Sequence, residues 1–197
     1  MKKIILIGAG GHAKSCIDVI ESTGEYKIEG LIDLKEKIGQ TVLNYPIIDS
    51  DENIINYINN ETYFFITLGQ IKTAQRRKEL FKLLQDNNAK IATVISPYAY
   101  VSKHANIKQG TIVMHFAFLN AGVQVGENCI INTKAHLEHD VKVGNNCHIS
   151  TSAVINGDVN IGNEVFIGSN STIVQGTQIP DNSFIKAGSL NKWIKFL

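Results

Sequence analysis

From Val101 onward every sixth residue of the chain is Ile, Leu or Val, fifteen times in succession, ending at Ile185. Two residues before each of these stands a small or β-branched residue, from Ala99, Ala105 and Thr111 through Cys129, Ala135, Val141 and Cys147 to Ser183, and none of them is charged. Positions two apart in a strand face the same side, so each hexad turns one small and one aliphatic residue inward, and the other residues must turn the chain. A beat of 18 overlies the hexads in Val125-Gly126, Val143-Gly144 and Ile161-Gly162. Three hexads per coil make a three-sided prism, a solenoid in which stacked coils bury a core that no single coil could bury. Cys129 and Cys147 share the small inward slot one coil apart, within the backbone separation a disulfide needs.

Residues 1–95 follow a different grammar. A short apolar strand at 4–8 runs into glycines, and Ala13, Cys16, Ile17 and Ile20 space a helix over 12–22. Further strands are expected at 27–33 and 62–69, with a short helix over 51–60 and an amphipathic helix over 70–85. That alternation predicts a small parallel α/β domain over 1–95, followed by the repeat domain over 96–197.

The balance of 19 basic and 18 acidic side chains, with no basic block, argues against an electrostatic nucleic-acid or membrane-surface binder. No apolar run approaches the ~20 residues of a membrane span. The opening MKKIILIGAGG imitates a signal peptide, but His12 and Lys14 end its apolar stretch and no small-x-small cleavage site follows. Three cysteines, an odd number, then fit reduced thiols and a cytoplasmic setting, with Cys129 and Cys147 stacked but unbonded.

Two segments carry candidate chemistry. Gly8, Gly10 and Ala13 satisfy G-x-G-x-x-[G/A] between a strand and a helix, and Asp33 ends the second strand where a ribose-binding acid would stand. Such glycines let backbone N–H groups approach a diphosphate at a helix N-terminus. The domain is short for a whole dinucleotide fold, so a nucleotide-sugar diphosphate fits better than NAD; a ligand-free glycine turn is the plain alternative. The second segment is 135–141, which with His148 holds three histidines. By phase His136 and His148 point outward from flat faces, whereas His139 and Asp140 fall on a corner. A corner imidazole is accessible, and a neighbouring carboxylate, Asp140 or its rival Glu138, can fix its tautomer and raise its basicity.

The motif [Leu/Ile/Val]-Gly-x-x-[small]-x resembles the hexapeptide-repeat acyltransferases, whose prism is a left-handed parallel β-helix and usually trimeric. With the turn Gly8-Ala-Gly10-Gly11-His12, residues 1–190 as a whole resemble the sialic acid O-acetyltransferase and UDP-4-amino-sugar N-acetyltransferase group. The resemblance implies an acetyl-CoA-dependent acetyltransferase of bacterial surface-glycan biosynthesis, acting on the amine of a nucleotide-activated amino sugar, with O-acetylation of a sialic or related nonulosonic acid as the alternative. It places the general base at His139 with Asp140 as its acid, acetyl-CoA contacts at His148, Gly157, Ser169 and Ala187, and nucleotide-sugar contacts at Gly10, Gly11, His12, Asp33 and Gly69. Within it His148 would donate towards the thioester oxygen, and no metal site is assigned. The γ-carbonic anhydrases share the prism, so a metal-dependent hydratase using the three histidines is a reading of another class; a nucleotide-binding regulatory module is a third.

Two departures from the resemblance stand out. Asp33 is followed by Leu34 where relatives often carry a second acid, and the chain closes as 187–197, AGSLNKWIKFL, where relatives tend to have a glycine-proline-alanine-lysine turn. One geometric expectation concerns assembly. His148 lies half an 18-residue coil beyond His139, so it faces the middle of the side opposite that corner. If both act on one acetyl group, they meet across an interface between subunits, which three prisms around an axis would supply three times over.

Overall fold

The computed structural model describes residues 1–191, so Lys192 to Leu197, part of the unusual C-terminus, lies outside the described residues. The first half forms β1 (Lys2–Ile7), α1 (Gly11–Thr23), β2 (Tyr26–Asp33), β3 (Thr41–Val42), β4 (Tyr45–Ser50), β5 (Thr62–Ile66), α2 (Gln75–Asp86) and β6 (Lys90–Ile91). They make a sheet of order β3-β4-β2-β1-β5-β6, parallel except where β3 pairs with β4.

Three local expectations change. The sheet has six strands where three are expected: β6 is a two-residue addition at its edge, and the β3–β4 hairpin turns at Leu43-Asn44, both at positive φ, without the Asn-Gly signal of such turns and with Pro46 in β4. The segment 51–60 is a 3₁₀ helix over Asp51–Tyr57. The amphipathic helix starts at Gln75, so residues 70–74 are a loop.

The second half is a left-handed parallel β-helix of two-residue strands. Its first face stacks Val94–Ile95, Ile112–Val113, Ile130–Ile131, His148–Ile149, Phe166–Ile167 and Phe184–Ile185; the second runs from Tyr100–Val101 through His136–Leu137 to Leu190–Asn191; the third runs from Asn106–Ile107 to Gln178–Ile179. The repeat thus starts one hexad early, at Val94, before the expected boundary at 96. The aliphatic and small positions of the hexads line one continuous core, and only the end coils leave Val101, Ile107 and Ile185 partly exposed. A left-handed backbone recurs every six residues, three after the aliphatic one, from Gly110 to Gly188. Asn, Asp and Gly fill most of these slots because their side chains tolerate that conformation. Cys129 and Cys147 are free thiols in the core, with the Cys147 N–H 3.4 Å from the Cys129 sulfur.

The α/β domain covers the first face of the prism. α1 buries Ala13, Cys16, Ile17, Val19 and Ile20 in a cluster that also holds Val94, Ile112, Met114 and Ile130 from the prism. Around this apolar centre, His115 meets Asp18 at 2.9 Å and Lys78 meets Glu164 at 2.6 Å. The domains therefore share one core along that face.

Candidate active site

His136–Leu137 on the second face leads through residues 138–141 to Lys142–Val143 on the third, so His139 and Asp140 occupy the corner between them. Asp140 takes the left-handed slot, φ 62°, which swings its carboxylate back beside the preceding ring. His139 Nδ1 lies 3.0 Å from Asp140 Oδ2, with both side chains more than half exposed. In the tautomer this pairing selects, Nδ1–H donates to the carboxylate and Nε2 keeps its lone pair. Glu138, the rival acid, is engaged elsewhere: it accepts from His136 Nε2 at 2.8 Å and from Asn120 Nδ2 at 2.7 Å. Those two hydrogen bonds hold its carboxyl below the usual carboxylate range.

Two glycines make room for the pair. Gly157 stacks one coil above His139, and a Cβ there would come 2.5 Å from His139 Nε2 and 2.6 Å from Cε1. Gly122, one coil below Asp140, would drive its Cβ into Asp140 Oδ1. The spacing of 18 was the signal that could have exposed Gly122 in the sequence. Because the ring can swing away while the backbone stays put, Gly157→Ala should leave the melting temperature nearly unchanged. It should nevertheless lower kcat by roughly 10–100-fold by displacing the imidazole. Steady-state kinetics beside a thermal melt checks this, and unchanged kcat would show that the ring position at Gly157 is immaterial.

His148 points outward from the first face, as its phase requires, but it is only 6% exposed because the α/β domain lies over it. Its Nδ1–H donates to the Gln70 carbonyl at 2.5 Å, and Nε2 accepts from Asn132 Nδ2 at 3.0 Å. The Asn132 amide has a fixed sense because its Oδ1 accepts the Thr133 N–H. Both ring nitrogens are thus engaged within the chain, and donation to a thioester oxygen would require breaking one of these bonds. His12 lies alongside, its ring centroid 6.5 Å from that of His148, and a Cβ on Gly69 would come 3.5 Å from the His12 Cβ.

Burial holds both rings neutral: it pushes His12, helped by the Arg77 charge and then by His148, from 6.5 to about 4. Burial likewise lowers His148 to about 4, against the opposing Gln70 carbonyl and with Arg77 adding to the fall. The unfolded chain therefore takes up two protons between pH 6.5 and 4 that the folded chain refuses. Stability is full above that window, falls as pH drops through it by about 3 kcal/mol per histidine, and levels off below. Denaturant melts from pH 7.5 to 4.5 should show this slope, and the pair His12→Gln and His148→Gln should flatten it. A slope that the double substitution leaves untouched would show that the two rings titrate normally.

The glycine turn stands open. Gly10 is the N-cap of α1 without a side-chain cap, and a Cβ on Gly10 or Gly11 would meet nothing within 4 Å. Asp33, expected at a ribose, braces this turn: the Ala9 N–H donates to Oδ2 at 2.5 Å, Leu34 N–H to Oδ1 at 2.7 Å, and Lys37 Nζ lies 3.1 Å from Oδ1. Burial raises the Asp33 pKa, but the N–H donors and Lys37 outweigh it and the carboxyl sits below its ordinary value.

Ser169 and Ala187 stack on the corner between the first and second faces, where Ser169 meets Ser150 at 2.9 Å. The structure thus gathers the expected residues into four places: His139, Asp140 and Gly157 on one corner, Ser169 and Ala187 on another, His12, Gly69 and His148 at the domain seam, and Gly10, Gly11 and Asp33 at the open glycine turn. His136, His139 and His148 do not converge, and among the described residues no three His, Cys, Asp or Glu side chains are grouped to hold a metal ion. No helix among them is long and apolar enough to cross a membrane.

Residues 3–84 match the PglD N-terminal domain. Residues 122–157 match the bacterial transferase hexapeptide (six repeats), and residues 158–190 the hexapeptide repeat of succinyl-transferase. No curated protein matches the chain significantly. Among solved structures, the acetyltransferase domain of PglB from Neisseria gonorrhoeae in complex with acetyl coenzyme A is 27% identical, covers 97% of this chain and 91% of its own, and superposes with a TM-score of 0.89. PerB from Caulobacter crescentus in complex with CoA and GDP-perosamine is 26% identical over 95% of this chain and 87% of its own, TM-score 0.87. WeeI from Acinetobacter baumannii shares the fold at 19% identity over 95% of both chains, TM-score 0.76. A match to the PglD N-terminal domain followed by matches to transferase hexapeptide repeats, over a prism with a histidine–carboxylate pair open on its corner, makes this chain similar to the hexapeptide-repeat sugar acyltransferases.

Proposed function

We propose that the protein transfers the acetyl group of acetyl-CoA to the amine of a nucleotide-linked amino sugar. The observation that carries this reading is the exposed corner pair, His139 Nδ1 at 3.0 Å from Asp140 Oδ2 with Nε2 left as the basic atom. The similarity to structures holding acetyl coenzyme A, or CoA with GDP-perosamine, supports the choice of donor and acceptor.

In this mechanism His139 Nε2 takes a proton from the acceptor nitrogen as it forms its bond to the thioester carbonyl carbon. Asp140 holds the ring and stabilises the imidazolium. The carbon–sulfur bond then breaks, and the thiolate of CoA leaves with the proton from His139. The nucleotide diphosphate lies against the open Gly8–Gly11 turn at the N-terminus of α1, where backbone N–H groups and the helix dipole favour an anion. Ser169 and Ala187 line the path of the pantetheine arm, and Gly157 contributes by seating the base.

The assembly in this reading is a homotrimer joined along the second face. There Tyr100, Phe118 and His136 stack outward at centroid spacings of 4.9 and 4.7 Å, whereas the third face turns out Asn106, Gln124, Lys142, Asn160 and Gln178. The test is release of CoA thiol from acetyl-CoA against a panel of nucleotide amino sugars and sialic acids. Turnover with an amino sugar supports the reading, turnover only with hydroxyl acceptors replaces it by O-acetylation, and no turnover with any acceptor overturns it.

A further inference from the structure

Arg77 is a fully charged side chain in a place that offers it no carboxylate. It lies on α2, is 2% exposed, and is surrounded at the domain seam by neutral groups. Its Nη1 donates to the carbonyls of Ile66 at 3.1 Å and Leu68 at 2.5 Å, at the end of β5. Its Nη2 donates across the seam to Asn128, 2.8 Å to Oδ1 and 3.3 Å to the carbonyl, on a corner of the prism. A buried cation without an acid is expensive, so a position that keeps one needs an explanation beyond packing.

The explanation lies in where those hydrogen bonds lead. Asn128 Nδ2 donates to Asn146 Oδ1 at 2.8 Å, and the Asn146 carbonyl accepts from Gln70 Nε2 at 2.9 Å. The Gln70 carbonyl accepts the Nδ1–H of His148. Residues 68–70 return the chain to Leu68 and hence to Arg77. The circuit is closed, and it runs twice across the seam. One side of it is the loop that carries Gly69 against His12; the other is the pair of prism corner residues that precede His148. A planar guanidinium can bridge two backbone segments at once because its donors form a rigid fork, which an ammonium cannot do.

We propose that Arg77 is a positioning residue for acetyl transfer, which sets the loop at residues 67–70, and with it the Gly8–Gly11 turn that Thr67 and Leu68 touch, in register with the prism so that a sugar held by the α/β domain meets the acetyl group at a fixed height. This rests on the acceptor reading given under Proposed function. Arg77 touches neither substrate in this role and acts through Gln70 and Asn128.

The experiment compares Arg77→Met and Arg77→Lys with the wild type on a nucleotide amino sugar and acetyl-CoA, with thermal melts alongside. Misplacing the acceptor should raise its KM and lower kcat, together about 10–100-fold in kcat/KM, while KM for acetyl-CoA stays within about twofold. Arg77→Lys, which keeps the charge but cannot span Leu68 and Asn128, should resemble Arg77→Met. Should either fail to fold, Asn128→Gly tests the same circuit. It removes both side-chain links and suits the left-handed backbone there, φ 53°, so it should show the same acceptor-selective change. A lower melting temperature with both KM values unchanged, or with both raised equally, makes Arg77 a structural fastener and overturns the proposal. Failure of the acceptor reading is seen separately, as no turnover by the wild type.

Discussion

Replacing His139 by Ala should lower kcat by about 10²–10⁴, the range for a positioned acid–base group, with little change in fold. The side chain is more than half exposed on a corner, so its loss opens no core cavity. In the proposed mechanism the acceptor amine then has no partner at the moment it forms its bond to carbon, although the proposed acetyl-CoA and nucleotide sites remain. KM values close to wild type are therefore expected beside the fall in kcat. Asp140→Asn should cost less, because the ring keeps its seat against Gly157 while losing the charge that steadies the imidazolium. Steady-state kinetics on the folded variants checks both. A loss below tenfold in His139→Ala with the fold intact would sink the assignment of the base.

Mixing inactive His139→Ala and His148→Ala chains, under conditions that allow subunit exchange, should restore activity from near background. The two side chains cannot share one acetyl group within a prism. His139 sits on the corner between the second and third faces, and His148 stands on the first face, opposite that corner. If an active site takes its base from one subunit and its His148 side from the next, an equal mixture leaves about one interface in four with both intact. Recovery towards about a quarter of wild-type turnover is the expected result. His148 enters this test through what it holds, Gln70 and Asn132, and not through a free N–H. Verified hybrids that stay inactive would mean that each prism builds its site alone.

Much of this molecule is legible in its residues because a solenoid is periodic. A hexad whose aliphatic and small positions recur without interruption can bury them only by stacking, so the prism and the outward phases of His136 and His148 follow from counting. The corner place of His139 and Asp140 follows in the same way, and the left-handed slot that Asp140 fills recurs every six residues with the aliphatic ladder. The α/β half was less legible. Its strands are short, Pro46 disguises β4, and the Leu43-Asn44 turn carries no glycine to announce the hairpin. Gly157, expected at acetyl-CoA, and Gly122, not expected at all, are the residues stacked on His139 and Asp140, and their spacing of 18 was visible throughout.

Period and residue type by themselves determined the prism, the glycine turn opening α1 and the corner place of His139 beside two rival carboxylates, Asp140 and Glu138. They did so because those features depend on local geometry and on neighbours a fixed number of residues away. Only the tertiary structure decided what covers the first face of the prism. That contact buries His148 and joins its Nδ1 to Gln70, and it gives Arg77 its partner Asn128 in the prism, while the folding of the α/β domain itself sets Asp33 against the Ala9 N–H. The pairs Asp33–Ala9, Arg77–Asn128 and His148–Gln70 are 24, 51 and 78 positions apart, and no repeat relates them. The period dictates which side chains leave the prism, and the packing of one domain on another dictates what they meet.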